Sequence, residues 1–369
     1  MIVLYKHEDY LNMQQKSKLG FGAMRLPNDE ITNKMVDAFL DAGYNYFDTA
    51  YIYDGSEERL NRTLVKRHPR ESYFVANKLP PWHVHVSADR DKLFKESLKR
   101  TGLEYFDYYL VHSLDESREE SVDKAELFQW AFEQKKKGLV KHVGFSYHGG
   151  TEYLKRLFKR YPESEFVQLQ LNYIDIMRGP AGEWQKAALE AKVPIIVMEP
   201  VKGGSLATLP APAEKLLKDY DPSCSVASWA IRYAANLEGA TCVLSGMSNL
   251  EQVEDNLKTY ENFKPLSKEE MELLDKVLTE TAKVASIPCT GCKYCHNECP
   301  LGIEIATCIS LYNELKRGSE KWNRQSLYRT IPAGKRASDC TSCGACMSHC
   351  PQRIDIPKEL GVVAAELAQ

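Results

Sequence analysis

Residues 73–112 read YFVANKLPPWHVHVSADRDKLFKESLKRTGLEYFDYYLVH, and this stretch holds one full repeat of the pattern that decides the fold. Tyr73–Ala76 is a short strand-like run, Ala88–Arg100 spaces its apolar residues at helical intervals, and Phe106–Val111 is a second strand. The same alternation extends in both directions. Strand-like segments lie at Lys18–Phe21, Tyr44–Phe47, His142–Phe145, Val167–Leu171, Pro194–Met198 and Cys242–Leu244. Amphipathic segments separate them, as at Thr32–Asp41, Lys124–Lys136, Glu152–Arg160 and Leu250–Tyr260. Eight strand–helix units predict an α/β chain that closes into a (β/α)8 TIM barrel. A doubly wound open sheet gives the same alternation, but Gly20-Phe21-Gly22 lacks the third glycine of a dinucleotide-binding turn. Residues before Lys18 are expected to cap the closed end. Ser267 with Glu270 forms a capping box that opens a helix over Ser267–Ala282, leading out of the barrel.

After Ile287-Pro288 the pattern changes to clustered cysteines and short helices, so the domains are expected at 1–284 and 285–369. Cys289, Cys292, Cys295 and Cys299-Pro300 read C-x2-C-x2-C-x3-C-P, and Cys340, Cys343, Cys346 and Cys350-Pro351 repeat the run without a gap. This is the spacing of bacterial two-cluster ferredoxins, in which the fourth cysteine of each run serves the other cube. The spacing therefore predicts two [4Fe–4S] clusters in a small, mainly helical ferredoxin-like domain. One is held by Cys289, Cys292, Cys295 and Cys350, the other by Cys340, Cys343, Cys346 and Cys299. Zinc is the alternative, but zinc sites built from four cysteines use separated C-x2-C pairs and have no use for a third cysteine followed by C-P. Cys224, Cys242 and Cys308 fit neither run and read as buried, inert thiols. Between the runs, Lys316, Arg317, Lys321, Arg324 and Arg329 make a mildly basic helical insert. It reads as a solvated face, with a docking patch for an acidic electron carrier as the sharper reading.

Of 369 residues, 48 are Lys or Arg and 51 are Asp or Glu, a net charge of −3 that argues against nucleic acid as a partner. No stretch approaches the ~20 apolar residues of a membrane span, and the charged start MIVLYKHEDYLN offers no signal-peptide core. A cytoplasmic setting is expected, and a reducing compartment turns clustered cysteines toward metal rather than disulfides.

In a barrel of this kind chemistry sits at the C-terminal ends of the strands. Strand two ends at Asp48 with Tyr53 shortly after, strand three at Lys78 and strand four at His112. A phenol has a pKa of about 10, and an adjacent ammonium favours its ionised form. Lys78 would thus make Tyr53 a usable proton donor to a carbonyl oxygen, with Asp48 holding Lys78 charged. His112 would align the same oxygen through a hydrogen bond.

The segments FDTAYIYDGSEERL, FVANKL, YYLVHS, HVGFSYH, VQLQLNY, MEPVKGG and LSGMSNLEQVEDN occur in that order over roughly residues 18–262. They resemble the aldo/keto reductases, and the whole chain resembles the bacterial subgroup with a ferredoxin-like C-terminal extension. The resemblance implies a catalytic tetrad of Asp48, Tyr53, Lys78 and His112, and a nicotinamide cofactor bound across the barrel mouth. It implies Ser146 and Gln168 at the nicotinamide carboxamide, and Gly246, Ser248, Gln252 and Asn256 at the adenosine end. Trp82 resembles the family's substrate-pocket tryptophan. Three positions depart from the family: Tyr147 stands where Asn is usual, Met198 where an aromatic stacks on the nicotinamide, and Gln252 where Arg grips a 2′-phosphate. These departures place NADH and a flavin beside NADPH as candidates. The expected function is reduction of a small-molecule carbonyl, with the clusters exchanging electrons with a flavodoxin- or ferredoxin-like carrier. The alternative is a cofactor-sensing or electron-transfer subunit of a redox complex, whose barrel is not itself a carbonyl reductase.

Overall fold

The computed structural model describes residues 19–261, 263–284 and 286–368. Lys18 and the segment expected to cap the barrel lie outside the described residues. Eight parallel strands close on themselves in sequence order: β1 (Leu19–Gly22), β2 (Tyr46–Asp48), β3 (Phe74–Leu79), β4 (Phe106–Leu114), β5 (Val140–Tyr147), β6 (Phe166–Gln170), β7 (Ile195–Met198) and β8 (Ala240–Gly246). Closure is made by β1 on β8, with Gly22 opposite Gly246, and this rules out the open sheet.

Both faces of each strand are buried, which is why the strands read as apolar runs. One face turns inward, where Tyr46, Tyr108, Phe166, Ile196, Cys242 and Leu244 fill the barrel. The other face, including Phe47, Val75, Tyr109, Val143, Val167 and Val243, packs into the core shared with the helices. Gly20 shows how tight the interior is. A Cβ there would stand 2.7 Å from both Cys242 Sγ and Leu244 Cδ2.

The strands are connected by α1 (Asp29–Asp41), α2 (Ser56–Leu60, continuing as a π-helical turn over Asn61–Val65), α3 (Ser87–Thr101), α4 (Leu127–Lys136), α5 (Thr151–Arg160), α6 (Ala181–Ala191), α7 (Ala211–Tyr220) and α8 (Val226–Ala235). After β8 come α9 (Leu250–Glu261) and α10 (Lys268–Ala282). Local chemistry sets the ends. Asn28 caps α1 by accepting from Ile31 N at 3.0 Å, left-handed Gly102 ends α3, and the capping box of Ser267 with Glu270 opens α10. No helix among the described residues is long and apolar enough to cross a membrane.

The chain forms two compact units, Met1–Pro200 with Ser228–Leu266, and Val201–Ala227 with Ser267–Gln369. The second unit contains α11 (Ile305–Lys316), α12 (Lys321–Thr330) and α13 (Ile356–Leu367). Its own core gathers Ile303, Cys308, Ile309, Tyr328, Ile356, Leu360 and Val363.

The duplication in this unit extends beyond the cysteines. A shift of 51 residues carries α11 onto α13, end to end. The same shift relates three pairs of residues with positive φ: Gly291 with Ser342, Lys293 with Gly344, and Gly302 with Arg353. It also relates paired turn bonds, such as Cys299 N to His296 O and Cys350 N to Met347 O, both 3.2 Å.

Candidate active site and cysteine centres

At the C-terminal ends of β2, β3 and β4 the structure brings the four tetrad residues together. Lys78 is fully buried, and its Nζ donates to Asp48 Oδ1 at 2.5 Å, to Thr49 O at 2.8 Å and to Tyr53 OH at 3.4 Å. Burial pushes the Lys78 amine down, and the Asp48 carboxylate opposes that shift. The ring of Tyr53 meets that of His112 edge-on at 6.0 Å, and Trp82 lies 5.6 Å from His112 on another side. Burial holds His112 well below the ordinary imidazole value, and the charges of Lys78, His148 and Arg118 add to the shift. His112 is thus neutral at physiological pH, able to donate a hydrogen bond but carrying no positive charge.

A second layer of residues, unremarked in the sequence, supports this group. Asn77 Nδ2 donates to Glu57 Oε1 at 2.7 Å, and Arg100 holds the other oxygen of this buried carboxylate at 3.2 Å. Just past His112, Ser113 adopts φ +54°, and the β4–β5 register shifts between Val111 and Leu114. Buried Arg118 clamps this bulge by donating to Ser113 O, and to Asp115 Oδ2 at 2.8 Å, while its guanidinium lies 4.7 Å over the Trp82 ring. A basic residue five positions past a bulge carries no signal at the sequence level. Only the packing reveals it.

Of the residues expected at a cofactor, Ser146, Gln168, Met198 and Gly246 lie on β5 to β8, Ser248 in the loop after β8, and Gln252 and Asn256 on α9. Ser146 Oγ accepts from Ser113 N at 2.7 Å, which leaves its O–H to donate. Gln168 Nε2 donates to Asp48 Oδ2 at 2.9 Å, which leaves its Oε1 to accept. One donor and one acceptor are what a carboxamide requires, so the donor set fits a nicotinamide. Met198, half-buried, packs against the interior barrel cluster. Gly246 is exposed, and a Cβ built there meets nothing within 4 Å. Ser248 N donates to Gln252 Oε1 at 2.7 Å, so Gln252 is engaged at the start of α9. Asn256 turns inward, buried, and donates to Ser245 Oγ at 2.7 Å. Tyr147 is fully buried against Trp184, with its hydroxyl donating to Gly150 O.

In the second unit Cys299, the last cysteine of the first run, lines one small cavity together with Cys340, Cys343 and Cys346 of the second. Cys295 is buried, and the thiols whose charge acts on it are first Cys292, Cys289 and Cys350, with Cys346 after them. Those acting on Cys346 are Cys340, Cys299 and Cys343. Backbone N–H groups of Gly291, Ile303 and Ser342 point at Cys289, Cys299 and Cys340 Sγ, each at 3.4 Å. Converging thiols, dry walls and N–H···S contacts form a donor set suited to iron–sulfur cubes. The first run is anchored by a buried amide pair, Ile287 N to Asn313 Oδ1 at 2.8 Å and Asn313 Nδ2 to Ile287 O at 2.7 Å. The loop after β7 covers it too, because Gly203 presses on Thr290 so closely that a Cβ would fall 2.4 Å from Thr290 O.

Two expectations need correction. Cys242 and Cys308 are buried, but Cys224 is only half-buried, with its Sγ donating to Asp221 Oδ2 at 3.1 Å. The basic insert is largely consumed internally. Lys316 and Lys321 both bind Glu366, at 2.9 and 3.3 Å, and Arg324 binds Glu314, so it offers little free charge to a carrier.

The aldo/keto reductase family matches residues 18–279, and a 4Fe-4S dicluster domain matches residues 288–354. Among curated proteins, the chain is 24% identical over 296 residues to an uncharacterized oxidoreductase, YqkF, of Bacillus subtilis, covering 70% of this chain and 91% of that one. It is 34% identical over 131 residues to the methylglyoxal reductase DkgB of Escherichia coli O157:H7, over 34% of this chain and 46% of that one. Among solved structures, the holo form of aldo-keto reductase AKR11C1 from Bacillus halodurans aligns with TM-score 0.59 and 24% identity, over 70% of this chain and 91% of that one. A Klebsiella pneumoniae aldo-keto reductase in complex with NADPH gives TM-score 0.58 and 20% identity, over 70% of this chain and 90% of that one. These structural likenesses bear on the barrel alone. With the family match spanning most of its length, the chain belongs to the aldo/keto reductase family, as an oxidoreductase that carries a 4Fe-4S dicluster domain behind the barrel.

Proposed function

We propose that residues 1–284 form a carbonyl reductase dependent on a nicotinamide cofactor, and that residues 285–369 hold two [4Fe–4S] clusters that exchange electrons with a carrier. One observation carries the first half: a fully buried ammonium bridging Asp48 and the Tyr53 hydroxyl. When bound, a reduced nicotinamide supplies hydride, and the cubes supply single electrons. Everything else falls to the chain. The Tyr53 hydroxyl gives its proton to the carbonyl oxygen, helped by the adjacent Lys78 charge. Asp48 keeps Lys78 protonated and in place. Neutral His112 aligns the oxygen, and Trp82 walls the substrate side. Ser146 and Gln168 would hold the carboxamide, with Gly246, Ser248 and Gln252 toward the adenosine.

NADPH is supported by its presence in the Klebsiella neighbour. The departures at Tyr147, Met198 and Gln252 keep NADH in the reading. Hydride chemistry moves two electrons and a cube moves one, so a flavin, bound here or on the carrier, completes the circuit. The substrate class is a small aldehyde or ketone, in keeping with a relative named as a methylglyoxal reductase.

The test is an anaerobic screen of aldehydes, ketones and quinones with NADH and NADPH, clusters intact, on wild type and Tyr53→Phe. At least one carbonyl should be reduced, and the variant should lose about 10²-fold or more in kcat with cofactor affinity unchanged. Equal rates in both proteins for every substrate would instead favour a cofactor-sensing subunit.

A further inference from the structure

The 51-residue duplication makes the two cysteine centres comparable position by position, and their surroundings differ sharply. In the first run, residues 289–299, only Lys293 and Asn297 are exposed. In the second, residues 340–350, six are exposed: Thr341, Ser342, Cys343, Ala345, Met347 and Ser348. Cys343 is the only one of the eight run cysteines that is exposed; its counterpart Cys292 is half-buried. The first run is covered by Gly203 on Thr290, whereas the second is flanked by Leu301 and Met347, each 43% exposed.

Both centres carry exposed lysines, Lys293 at the first and two others at the second. Lys335, beside Gly302, and Lys358, between the cavity-lining Pro357 and Leu360, are exposed, and neither has an ion-pair partner among the described residues. Two nearby carboxylates, Asp339 and Asp355, accept from Arg336 N at 2.9 Å and Lys358 N at 3.4 Å and keep their negative charge. Lys316 and Lys321, by contrast, are held by Glu366.

We infer that the centre of Cys340, Cys343, Cys346 and Cys299 is the molecule's electron port, and that Leu301, Met347, Lys335 and Lys358 around it receive a small acidic one-electron carrier protein. The inference rests on the reading that both centres hold [4Fe–4S] clusters. In the step itself, one electron leaves the reduced carrier, which is oxidised by one, and reduces this outer cube by one. No bond is made or broken. Electron transfer falls off steeply with distance, so the exposed thiolate edge and apolar contact belong at the docking face. The unpaired ammonium groups speed encounter by steering.

The test uses the full chain, purified anaerobically, with iron, sulfide and total reduction by dithionite measured first. Photoreduced plant-type [2Fe–2S] ferredoxin, an acidic carrier, is then mixed in stopped flow, and bleaching of the cluster absorbance is followed at low and high salt. Lys335→Glu combined with Lys358→Glu should slow the second-order rate at least tenfold at low salt and flatten its salt dependence. The control pair Lys316→Glu with Lys321→Glu should leave it within twofold. The port is overturned if the first pair reacts like wild type, if the control pair slows equally, or if ferredoxin fails to reduce clusters that dithionite reduces. A wild-type protein holding iron for only one cube would refute the two-cluster reading instead, and the iron assay registers that separately.

Discussion

Replacing Asp48 with Asn removes the charge that keeps Lys78 protonated inside the barrel. At the observed 2.5 Å, Coulomb's law with an effective dielectric of about 20 gives an attraction of about 7 kcal/mol. Breaking a buried pair by removing one partner is observed to cost about 3–5 kcal/mol. Losing that attraction lowers the Lys78 titration further, below a value that burial has already depressed. In the variant the amine therefore loses its proton at a lower pH than in wild type. The sign of the pH dependence follows. The folded-state pKa lies below the unfolded one, so between the two values the unfolded chain binds a proton that the folded chain does not, and stability rises with pH across that window. In Asp48→Asn that window extends to lower pH than in wild type. Urea unfolding, followed by fluorescence of the buried Trp130 and Trp229 from pH 6.5 to 9.5, should give the variant a slope steeper than wild type by about one proton, or about 1.4 kcal/mol per pH unit. Carbonyl reduction at pH 7 should fall by about 10²–10⁴ in kcat, the usual yield of positioned proton transfer, and recover partly at lower pH as Lys78 regains its proton. Parallel stability profiles, or a kcat within threefold of wild type, would refute the role assigned to the pair.

Gly203→Val should drive a side chain into Thr290 and open the first cysteine loop, so iron should drop from about eight atoms per chain to about four, with the second centre intact by electron paramagnetic resonance. Arg118→Met removes the clamp on the Ser113 bulge and leaves buried acceptors unserved, which should destabilise the barrel by about 1–3 kcal/mol and reduce kcat more than cofactor affinity. Because burial keeps His112 neutral, the pH–rate profile should show no step near the ordinary imidazole pKa of about 6.5, and a step there that vanished in His112→Gln would contradict the assignment. Gly20→Ala should overpack the barrel interior at a cost of about 1–3 kcal/mol, measured as lost urea resistance.

Much of this was legible in the chain. The eight strands stood out because burial on both faces makes each a continuous apolar run, and the tetrad because it interrupts those runs with charge at successive strand ends. The dicluster domain showed in the spacing of the cysteines, which matches the family model over residues 288–354. Other features depend on contacts between distant residues. The basic insert read as a solvated face, and its pairing with Glu366 was not visible because that carboxylate lies 50 and 45 residues from Lys316 and Lys321 in sequence. The end of β4 runs on to Leu114 through a left-handed serine that no propensity favours. Two features carried usable signals. In β5 the two-residue strand period sets Tyr147 opposite to Ser146, and thus away from the barrel interior. The longer duplication was visible in CPLGIEI at 299–305 and CPQRIDI at 350–356.

On the proposed assignment, in which Cys299 and Cys350 each serve the other run's cube, assembly of the module is constrained. Neither half of the duplicated module can complete a cube alone, so the halves interlock like two links of a chain. A cut between Gly318 and Ala337 would leave two fragments, each with three thiolates for its own cube and one meant for its twin. Iron loading should then proceed only after the halves reassociate, because each centre draws thiolates from both halves.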